Sequence, residues 1–163
     1  MDIEIIKATS KQVGEVARLN DSVQKIHAEH HPDLFKYPTD SQQVEEFFRD
    51  QIGADGNSIF IANVSGRAVG YVWCAFDRKR ENPFNHSRET VYIHQISVDP
   101  SYSHKGVGRK LMEAVEELAR EQNICTIALD SWEFNSEAHV FFERLGFSRF
   151  NVNMWRRIET DLP

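Results

Sequence analysis

A helix between two β-rich segments constrains the fold of this chain more than any other feature of its sequence. The segments Thr90 to Val98 and Ile124 to Asp130 are rich in the β-branched and aromatic residues that strands prefer. The apolar residues between them recur at helical spacing, at Val107, Leu111, Val115 and Leu118. Two strands joined through a helix pair in parallel, with a right-handed crossover. The second half of the sequence therefore predicts a βαβ unit.

The first half predicts three more strands and two helices. A short strand at Ile3 to Lys7 comes first. Two helical patterns follow, with apolar positions at Val13, Val16, Leu19, Val23 and Ile26, and then at Val44, Phe47 and Phe48. Asn57 to Val64 and Ala68 to Phe76 are β-rich and flank Ser65-Gly66, a pair typical of a hairpin turn. Because short connections join these two segments to the strand at Thr90, we expect an antiparallel meander.

The end of the chain predicts one more helix and a final β segment. Asn135 is suited to cap a helix that Gly146 ends, and Phe147 to Ile158 predicts one or two strands. The elements then follow in the order β-α-α-β-β-β-α-β-α-β. This order predicts the α/β class, with a mixed central sheet and helices on both faces. Since no linker rich in Pro, Gly or Ser interrupts it, we expect a single domain over residues 1–163.

The charge balance and the apolar pattern exclude several classes of partner. Nineteen Lys and Arg residues stand against 25 Asp and Glu residues, a net charge of −6, whereas a general nucleic-acid binder needs a basic face. The longest apolar stretch, Ala68 to Phe76, is far shorter than the roughly 20 residues that cross a bilayer. The first residues, MDIEIIKATSK, lack the basic start and apolar core of a signal peptide. We expect a cytoplasmic protein without a nucleic-acid or membrane partner.

Neither the cysteines nor the histidines form a metal-binding pattern. Cys74 and Cys125 lie in apolar β-like segments without metal-ligand spacing, which predicts small buried side chains. His27, His30 and His31 lie close together, but no cysteine or carboxylate pair completes a ligand set. We therefore expect no metal cofactor.

The loop before the third predicted helix has the pattern of an anion site. Its sequence, SHKGVGRK over residues 103–110, contains two glycines and no acidic residue. Glycines let the backbone turn tightly and approach a ligand. The free N–H groups of the first helical turn and the helix dipole favour an anion there, and Lys105 and Arg109 add positive charge. The loop is neither a Walker A loop nor a GxGxxG fingerprint, and a plain solvated turn is the alternative interpretation.

Two segments resemble the motifs of one enzyme superfamily. The segment ISVDPSYSHKGVG, residues 96–108, resembles motif A of the GNAT (Gcn5-related) N-acetyltransferases. The segment NSEAHVFFERLGF, residues 135–147, is similar to their motif B, N-x-x-A-x-x-F-[YF]-E-[KR]-x-G-F. The order and separation of the motifs, and the succession of strands and helices over essentially the whole chain, also fit the GNAT fold.

The resemblance implies acetyl-CoA as cosubstrate, bound in a cleft between the two parallel central strands. In the family these strands splay, so that backbone groups of Ile96, Ser97 and Val98 would pair with the pantetheine arm and stabilise the thioester oxygen. The pyrophosphate would lie on the backbone of His104, Lys105, Gly106, Val107, Gly108 and Arg109. Asn135 would contact the cofactor arm, although a plain N-cap explains this residue as well.

Two departures from the family pattern affect the chemistry. Ser103 stands where the family has Arg or Gln, which removes a side-chain contact to phosphate but leaves the backbone cradle. Phe142, within the cofactor site, stands where many members have a Tyr that protonates the leaving thiolate. A thiol with a pKa of about 8.5 leaves without a dedicated acid, so we expect transfer with a proton from water, Tyr102 or Tyr92. The same departure leaves a non-catalytic acyl-CoA-binding or regulatory module as an alternative.

Direct transfer also requires a base, because a free alkylamine has a pKa of about 10.4. His94 precedes Ile96 by two residues and shares a face with Tyr92 if strand alternation holds, and an imidazole titrates near neutrality. Asp130 matches the place where other members have a catalytic Glu. We expect His94 or Asp130 to be the base, with Glu89 as a third candidate.

The acceptor pocket of this fold is usually built from the first two helices, their loop and the segment before the central strand. Here those segments are His27 to Pro38 and Asp77 to Glu89. The resemblance therefore implies an acetyl-CoA-dependent N-acetyltransferase acting on a primary amine, and we expect a small-molecule acceptor. A protein N-terminus or a lysine is the alternative acceptor. Pairing of two copies as a homodimer through the C-terminal segment RFNVNMWRRI is a further expectation.

Overall fold

A computed structural model of the protein describes residues 1–158. The helices and strands, in chain order, are β1 (Glu4–Lys7), α1 (Val13–His30), α2 (Ser41–Gly53), β2 (Asn57–Val64), β3 (Arg67–Lys79), β4 (Arg88–Val98), α3 (Val107–Glu121), β5 (Ile127–Leu129) and α4 (Ser136–Arg144). Short 3-10 turns at Ser10–Gln12 and Pro100–Tyr102 precede α1 and α3. The chain forms two compact units, Met1–Asp130 and a second that begins at Ser131.

The first unit contains a five-stranded mixed sheet in the order β1-β2-β3-β4-β5. Strands β1 to β4 pair antiparallel with their neighbours, and β4 pairs with β5 in parallel. The antiparallel meander and the parallel βαβ unit predicted from the sequence are both confirmed. The parallel pair follows from the connection through α3, which returns the chain to the same end of the sheet.

Helices cover both faces of this sheet. Tyr71 of β3 packs in one cluster with Val16 and Leu19 of α1 and with Phe48 of α2. The preceding residue, Gly70, lies against α3, and a side chain there would meet Val107 and Leu111. Successive strand residues point to opposite faces. The pair α1 and α2 therefore covers one face and α3 the other, as the predicted fold class requires.

Local capping explains where the first two helices begin. Thr9 and Gln12 form a capping box ahead of α1, in which the Thr9 backbone N–H donates to Gln12 Oε1 at 3.0 Å. The Asp40 carboxylate accepts from the Gln43 N–H at 2.9 Å at the start of α2. Helix α1 ends at His30, because Pro32 disfavours helical geometry in the residue before it.

Two local predictions are wrong. Residues 147–158 form no strand, although one or two were predicted there. A strand needs a partner, and β5 pairs only with β4 among the described residues. Cys74 is buried as predicted, and burial raises the pKa of its thiol to about 12. Cys125 is exposed, because the strand predicted from Ile124 begins only at Ile127.

Candidate active site

The pairing of β4 with β5 ends halfway along β4. It joins Val91 to Ile127 and Ile93 to Leu129 and stops there, while β4 continues to Val98 in register with β3. Within the described chain, the edge of β4 beyond Ile93 therefore has no strand partner on its β5 side. This is the splay that the sequence resemblance implied between the two parallel strands.

The hydrogen-bond pattern shows which backbone groups face the open edge of β4. The Asp99 N–H donates to the Val69 carbonyl at 2.8 Å, which makes Val98 and Gly70 a pair without mutual hydrogen bonds. Antiparallel pairs alternate, so the N–H and C=O of Val98 and Ile96 point away from β3. Ser97 belongs to the other set, whose groups face Tyr71 of β3. Of the three residues predicted to line the edge, two present their backbone there.

A β-bulge lies in the middle of β4, at His94. Trp73 of β3 is opposite Gln95, whereas the next residue, Cys74, is opposite Ile93, so His94 is an extra residue in the ladder. The His94 ring stacks on Trp73, with centroids 4.4 Å apart and planes at 23°, and contacts the Tyr92 ring at 5.1 Å. The bulge therefore presents His94 on the α1/α2 face of the sheet.

Tyr92 connects β4 to the end of β5. Its hydroxyl donates to Asp130 Oδ2 at 2.6 Å. Burial raises the pKa of Tyr92 to about 12, and the hydrogen bond to Asp130 adds to the rise. The phenol is therefore neutral at physiological pH and keeps its proton on the bond to Asp130. The two predicted base candidates, His94 and Asp130, thus both contact Tyr92.

The third base candidate and the predicted acceptor segments are engaged in local contacts. Glu89 pairs with Arg78 at 3.0 Å, five residues before His94 on β4. Parts of the segment Asp77 to Glu89 belong to β3 and β4 rather than to a loop. In α1, His27 and His30 bond through Nδ1 to carbonyls of their own helix.

A buried polar network fixes α1 to the bulged strand. Asn20 of α1 donates from Nδ2 to Tyr71 Oη at 3.2 Å and to Gln95 Oε1 at 3.0 Å, and Tyr71 also donates to Gln95 Oε1. The Ser97 hydroxyl donates to the Leu19 carbonyl at 2.8 Å. The sequence analysis missed this network. The one indication of it in the sequence was Asn20, a polar residue next to Leu19 on the apolar face of a predicted helix.

The loop between β4 and α3 has the geometry of an anion site. Gly106 has a φ of +85° and His104 a φ of +59°, both in the left-handed region. No side chain caps the N-terminus of α3, and its first turn has no acidic residue. Its first N–H groups are therefore left for a ligand or for water. Lys105 bonds to the Ser101 carbonyl at 2.8 Å with its ammonium over the Tyr102 ring, and Arg109 is exposed.

The remaining two predicted site residues lie in the second unit. Asn135 caps α4, since its Oδ1 accepts from the Ala138 N–H at 3.2 Å. Phe142 is 8% exposed and packs between the rings of Phe141 and Phe147 at 5.1 and 5.5 Å. A phenyl group in such an aromatic cluster satisfies the packing of α4 without a hydroxyl.

The described residues contain no helix with the length and apolar character that a bilayer crossing requires. Over residues 1–158 there is also no cluster of three or more His, Cys, Asp or Glu side chains suited to hold a metal ion.

A mixed sheet whose parallel pair opens ahead of a glycine-containing helix start is the fold of a class of acetyltransferases. The chain belongs to the Acetyltransferase (GNAT) family, which it matches over residues 21–147. An uncharacterised N-acetyltransferase of Lactobacillus delbrueckii subsp. lactis is 26% identical over 68% of this chain. The N-acetylaspartate synthetase of Xenopus tropicalis is 28% identical over 70% of it. The matched regions span 63% and 38% of those two proteins.

Solved structures show the same fold. A tetramutant of the BH1408 protein from Bacillus halodurans has a TM-score of 0.87 at 23% identity and covers 95% of this chain and 99% of its own. The aminoglycoside N-acetyltransferase AAC(6')-Iy, solved in complex with CoA, has a TM-score of 0.77 at 19% identity and covers 98% of this chain and 96% of its own. The GNAT fold predicted from the two motifs is confirmed.

Proposed function

We propose that this protein is an N-acetyltransferase that transfers the acetyl group of acetyl-CoA directly to a primary amine of a small acceptor. The observation that carries the proposal is the open edge of β4 leading into the uncapped N-terminus of α3. An unpaired strand edge offers hydrogen bonds to an extended amide chain, and a free helix start offers N–H groups to a phosphate. Pantetheine and pyrophosphate are those two groups.

The residues present fit acetyl-CoA. The backbone of Ile96 and Val98 would hold the arm, and the loop from His104 to Arg109 would hold the pyrophosphate. When bound, the cosubstrate supplies an acetyl group activated as a thioester. The same proposal takes residues 1–163 as one catalytic domain.

Within this proposal His94 is the general base. Its imidazole makes no hydrogen bond in the described part of the chain, whereas Asp130 already accepts one from Tyr92. Burial lowers the pKa of His94 from its ordinary value, so the ring is neutral near pH 7 and accepts a proton from the acceptor amine, directly or through water. Asp130 is the alternative base, placed on the other side of Tyr92.

The proton for the leaving thiolate comes from solvent or from Tyr102. Phe142 has no acidic proton, and the hydroxyl of Tyr92 is engaged with Asp130. The Tyr102 ring lies beneath the Lys105 ammonium at 5.3 Å, and its hydroxyl makes no hydrogen bond among residues 1–158.

The named relatives support an amine as the acceptor. AAC(6')-Iy has been solved with a bisubstrate analogue, CoA-S-monomethyl-acetylneamine, and other relatives are named as N-acetylaspartate synthetases. These names describe two chemically different amines, an amino sugar and an amino acid. The acceptor class of this chain is therefore a question for a broad panel.

The deciding experiment is thiol release from acetyl-CoA by the purified protein. The panel holds amino sugars, amino acids, polyamines and peptide N-termini, with a no-acceptor control. We expect release that depends on one class of small amine and is lost in a His94→Gln variant that still binds acetyl-CoA.

Two other outcomes would change the proposed function. Phe142 supports a second candidate, a module that binds acyl-CoA without turnover, and release at the control rate together with tight acetyl-CoA binding would favour it. Release with peptides alone would move the acceptor class to protein N-termini or lysines. Homodimer formation through residues 149–158 stays a prediction, which analytical ultracentrifugation tests.

A further inference from the structure

The ring of Trp73 is held between α2 and His94. On one side, Phe47 and Phe48 of α2 meet the indole edge to face, with centroids 5.6 and 6.2 Å away. On the other side, the bulge turns His94 onto the same sheet face, where its ring lies nearly parallel to the indole at 4.4 Å. The side chain that fixes the orientation of the imidazole is therefore itself fixed by a helix.

The indole carries a polar group that this packing leaves without a partner. Trp73 Nε1 is buried and has no hydrogen-bond partner among the described residues. A buried donor without an acceptor is destabilising, and a phenylalanine or leucine would fill the place without that loss. What an aromatic ring supplies at this position, and leucine does not, is a flat face that covers the imidazole.

An indole face acts on an imidazole in two opposite ways. It excludes water from one side of the ring, which disfavours the charged form. It also attracts a cation through its π electrons, which favours the charged form. At His94 desolvation prevails and lowers the pKa, although the residue as a whole is exposed.

The two rings that contact His94 are uncharged. From β3 it meets the uncharged Trp73, and from β4 the phenol of Tyr92, which is neutral because its pKa is raised to about 12. Asp130 is hydrogen-bonded to Tyr92, and Asp77 raises the pKa of Tyr92 through its charge. The phenyl groups of Phe47 and Phe48 of α2, which contact the indole of Trp73, are also uncharged.

We propose that Trp73 is a positioning residue, which holds the His94 imidazole flat on the sheet with water excluded from one face and its nitrogens directed to the acceptor amine. This inference rests on the proposed function with His94 as the base. In this proposal Trp73 acts through the imidazole of His94. A residue of β3, a strand without a predicted catalytic residue, thus sets the reactivity of His94 on β4.

The test compares Trp73→Leu, which removes the ring, with Trp73→Phe, which keeps a smaller one. The primary measurement is the NMR titration of the His94 ring proton, assigned by its absence in His94→Gln and recorded without any substrate. We expect the His94 pKa to rise towards about 6.5 in Trp73→Leu and to stay near the wild-type value in Trp73→Phe. A Trp155→Phe variant controls for the loss of an indole elsewhere and should titrate as the wild type.

The activity measurement is the pH dependence of kcat/KM with the best acceptor of the panel. A base must be neutral, so the acid limb of the profile follows the His94 pKa. In Trp73→Leu the limb should move to higher pH by the same amount as the NMR titration, with kcat lowered by about tenfold for a misaligned base and KM for acetyl-CoA unchanged. Trp73→Phe should restore most of kcat.

The two measurements separate the failure of this inference from that of the proposed function. A His94 titration that is the same in wild type and folded Trp73→Leu would overturn the role of Trp73 and leave the base assignment intact. A shifted titration with an unmoved acid limb would overturn both His94 as base and the positioning role that depends on it. Equal losses of kcat in both Trp73 variants, without a pH shift, would leave only a structural role.

Discussion

Tyr92 shows how one side chain separates the two candidate bases. Its ring contacts His94, while its hydroxyl proton is committed to Asp130 at 2.6 Å. Sequence reasoning predicted that Tyr92, His94 and Asp130 lie near one another, but it left open whether His94 or Asp130 is the base. The hydrogen bond supports His94 as the proposed base, because the Asp130 carboxylate already accepts a proton-bearing group.

The raised pKa of Tyr92 has a measurable consequence at alkaline pH. The folded phenol keeps its proton up to about pH 12, whereas an unfolded one loses it near pH 10. The folded state then binds more protons than the unfolded state between those values, so the stability that Tyr92 contributes is present below about pH 10 and is lost as the pH rises to 12. We expect spectrophotometric titration to show late-ionising tyrosines, one fewer in Tyr92→Phe. An unchanged late fraction in Tyr92→Phe would contradict the assignment.

At the scale of elements, the approach of α3 to the sheet depends on Gly70. A Cβ at this position would lie 2.9 Å from the Ser97 carbonyl oxygen, 3.1 Å from Val107 Cγ1 and 3.3 Å from Leu111 Cδ1. The first of these neighbours is backbone of β4 and cannot turn aside. The same close approach brings the start of α3 to the end of β4, where the proposed cofactor site lies.

Gly70→Ala should therefore destabilise the fold by about 1–3 kcal/mol, the usual range for an overpacked core. Gly53→Ala is the matched control, because a Cβ there meets nothing within 4 Å and alanine favours a helix. Urea unfolding followed by circular dichroism measures both. A Gly70→Ala protein as stable as the Gly53→Ala variant would contradict the packing described for α3.

At Gly106 the glycine is needed for its left-handed backbone conformation rather than for space. A Cβ there has open space, but the φ of +85° is one that L-residues avoid, at about 1–2 kcal/mol. Gly106→Ala should lose that stability and, by shifting the start of α3, weaken acetyl-CoA binding at least about tenfold in calorimetry. The matched control is Gly66→Ala, at a φ of +76° in the β2–β3 hairpin, which introduces the same kind of backbone strain outside the proposed binding site. Equal acetyl-CoA affinities in the two variants would remove the loop from the binding site.

For the molecule as a whole, sequence reasoning succeeded where the signal was local and failed where it depended on a partner. The helical period of α3, the Asp40 cap and the connection through α3 each lie within a short segment, and the sheet topology followed from them. The bulge at His94 is set by a register shift against β3, which no periodicity within β4 records. The strand predicted at Phe147 to Ile158 was wrong for the same reason, since its alternating pattern does not reveal whether an edge is available.

A cosubstrate that binds the folded protein alone should stabilise it as a whole. At 100 times its dissociation constant, acetyl-CoA would add about 2.7 kcal/mol, or roughly 5–10 °C in Tm for a chain of this size. Differential scanning calorimetry over a concentration series measures the shift, and Gly106→Ala should reduce it. A Tm that is independent of acetyl-CoA would exclude both the transferase and the acyl-CoA-binding module.

The buried network of Asn20, Tyr71 and Gln95 has a consequence for how the molecule opens. Together with the Ser97 to Leu19 bond, it closes one side of α1 against β4 through polar contacts that must break together. Local opening of α1 alone would leave these polar groups without hydrogen-bond partners and out of contact with water. Helix α1 and strand β4 should therefore exchange their amide hydrogens as one cooperative unit. Helix α1 should then move only together with β4, and we expect no motion that lifts α1 alone.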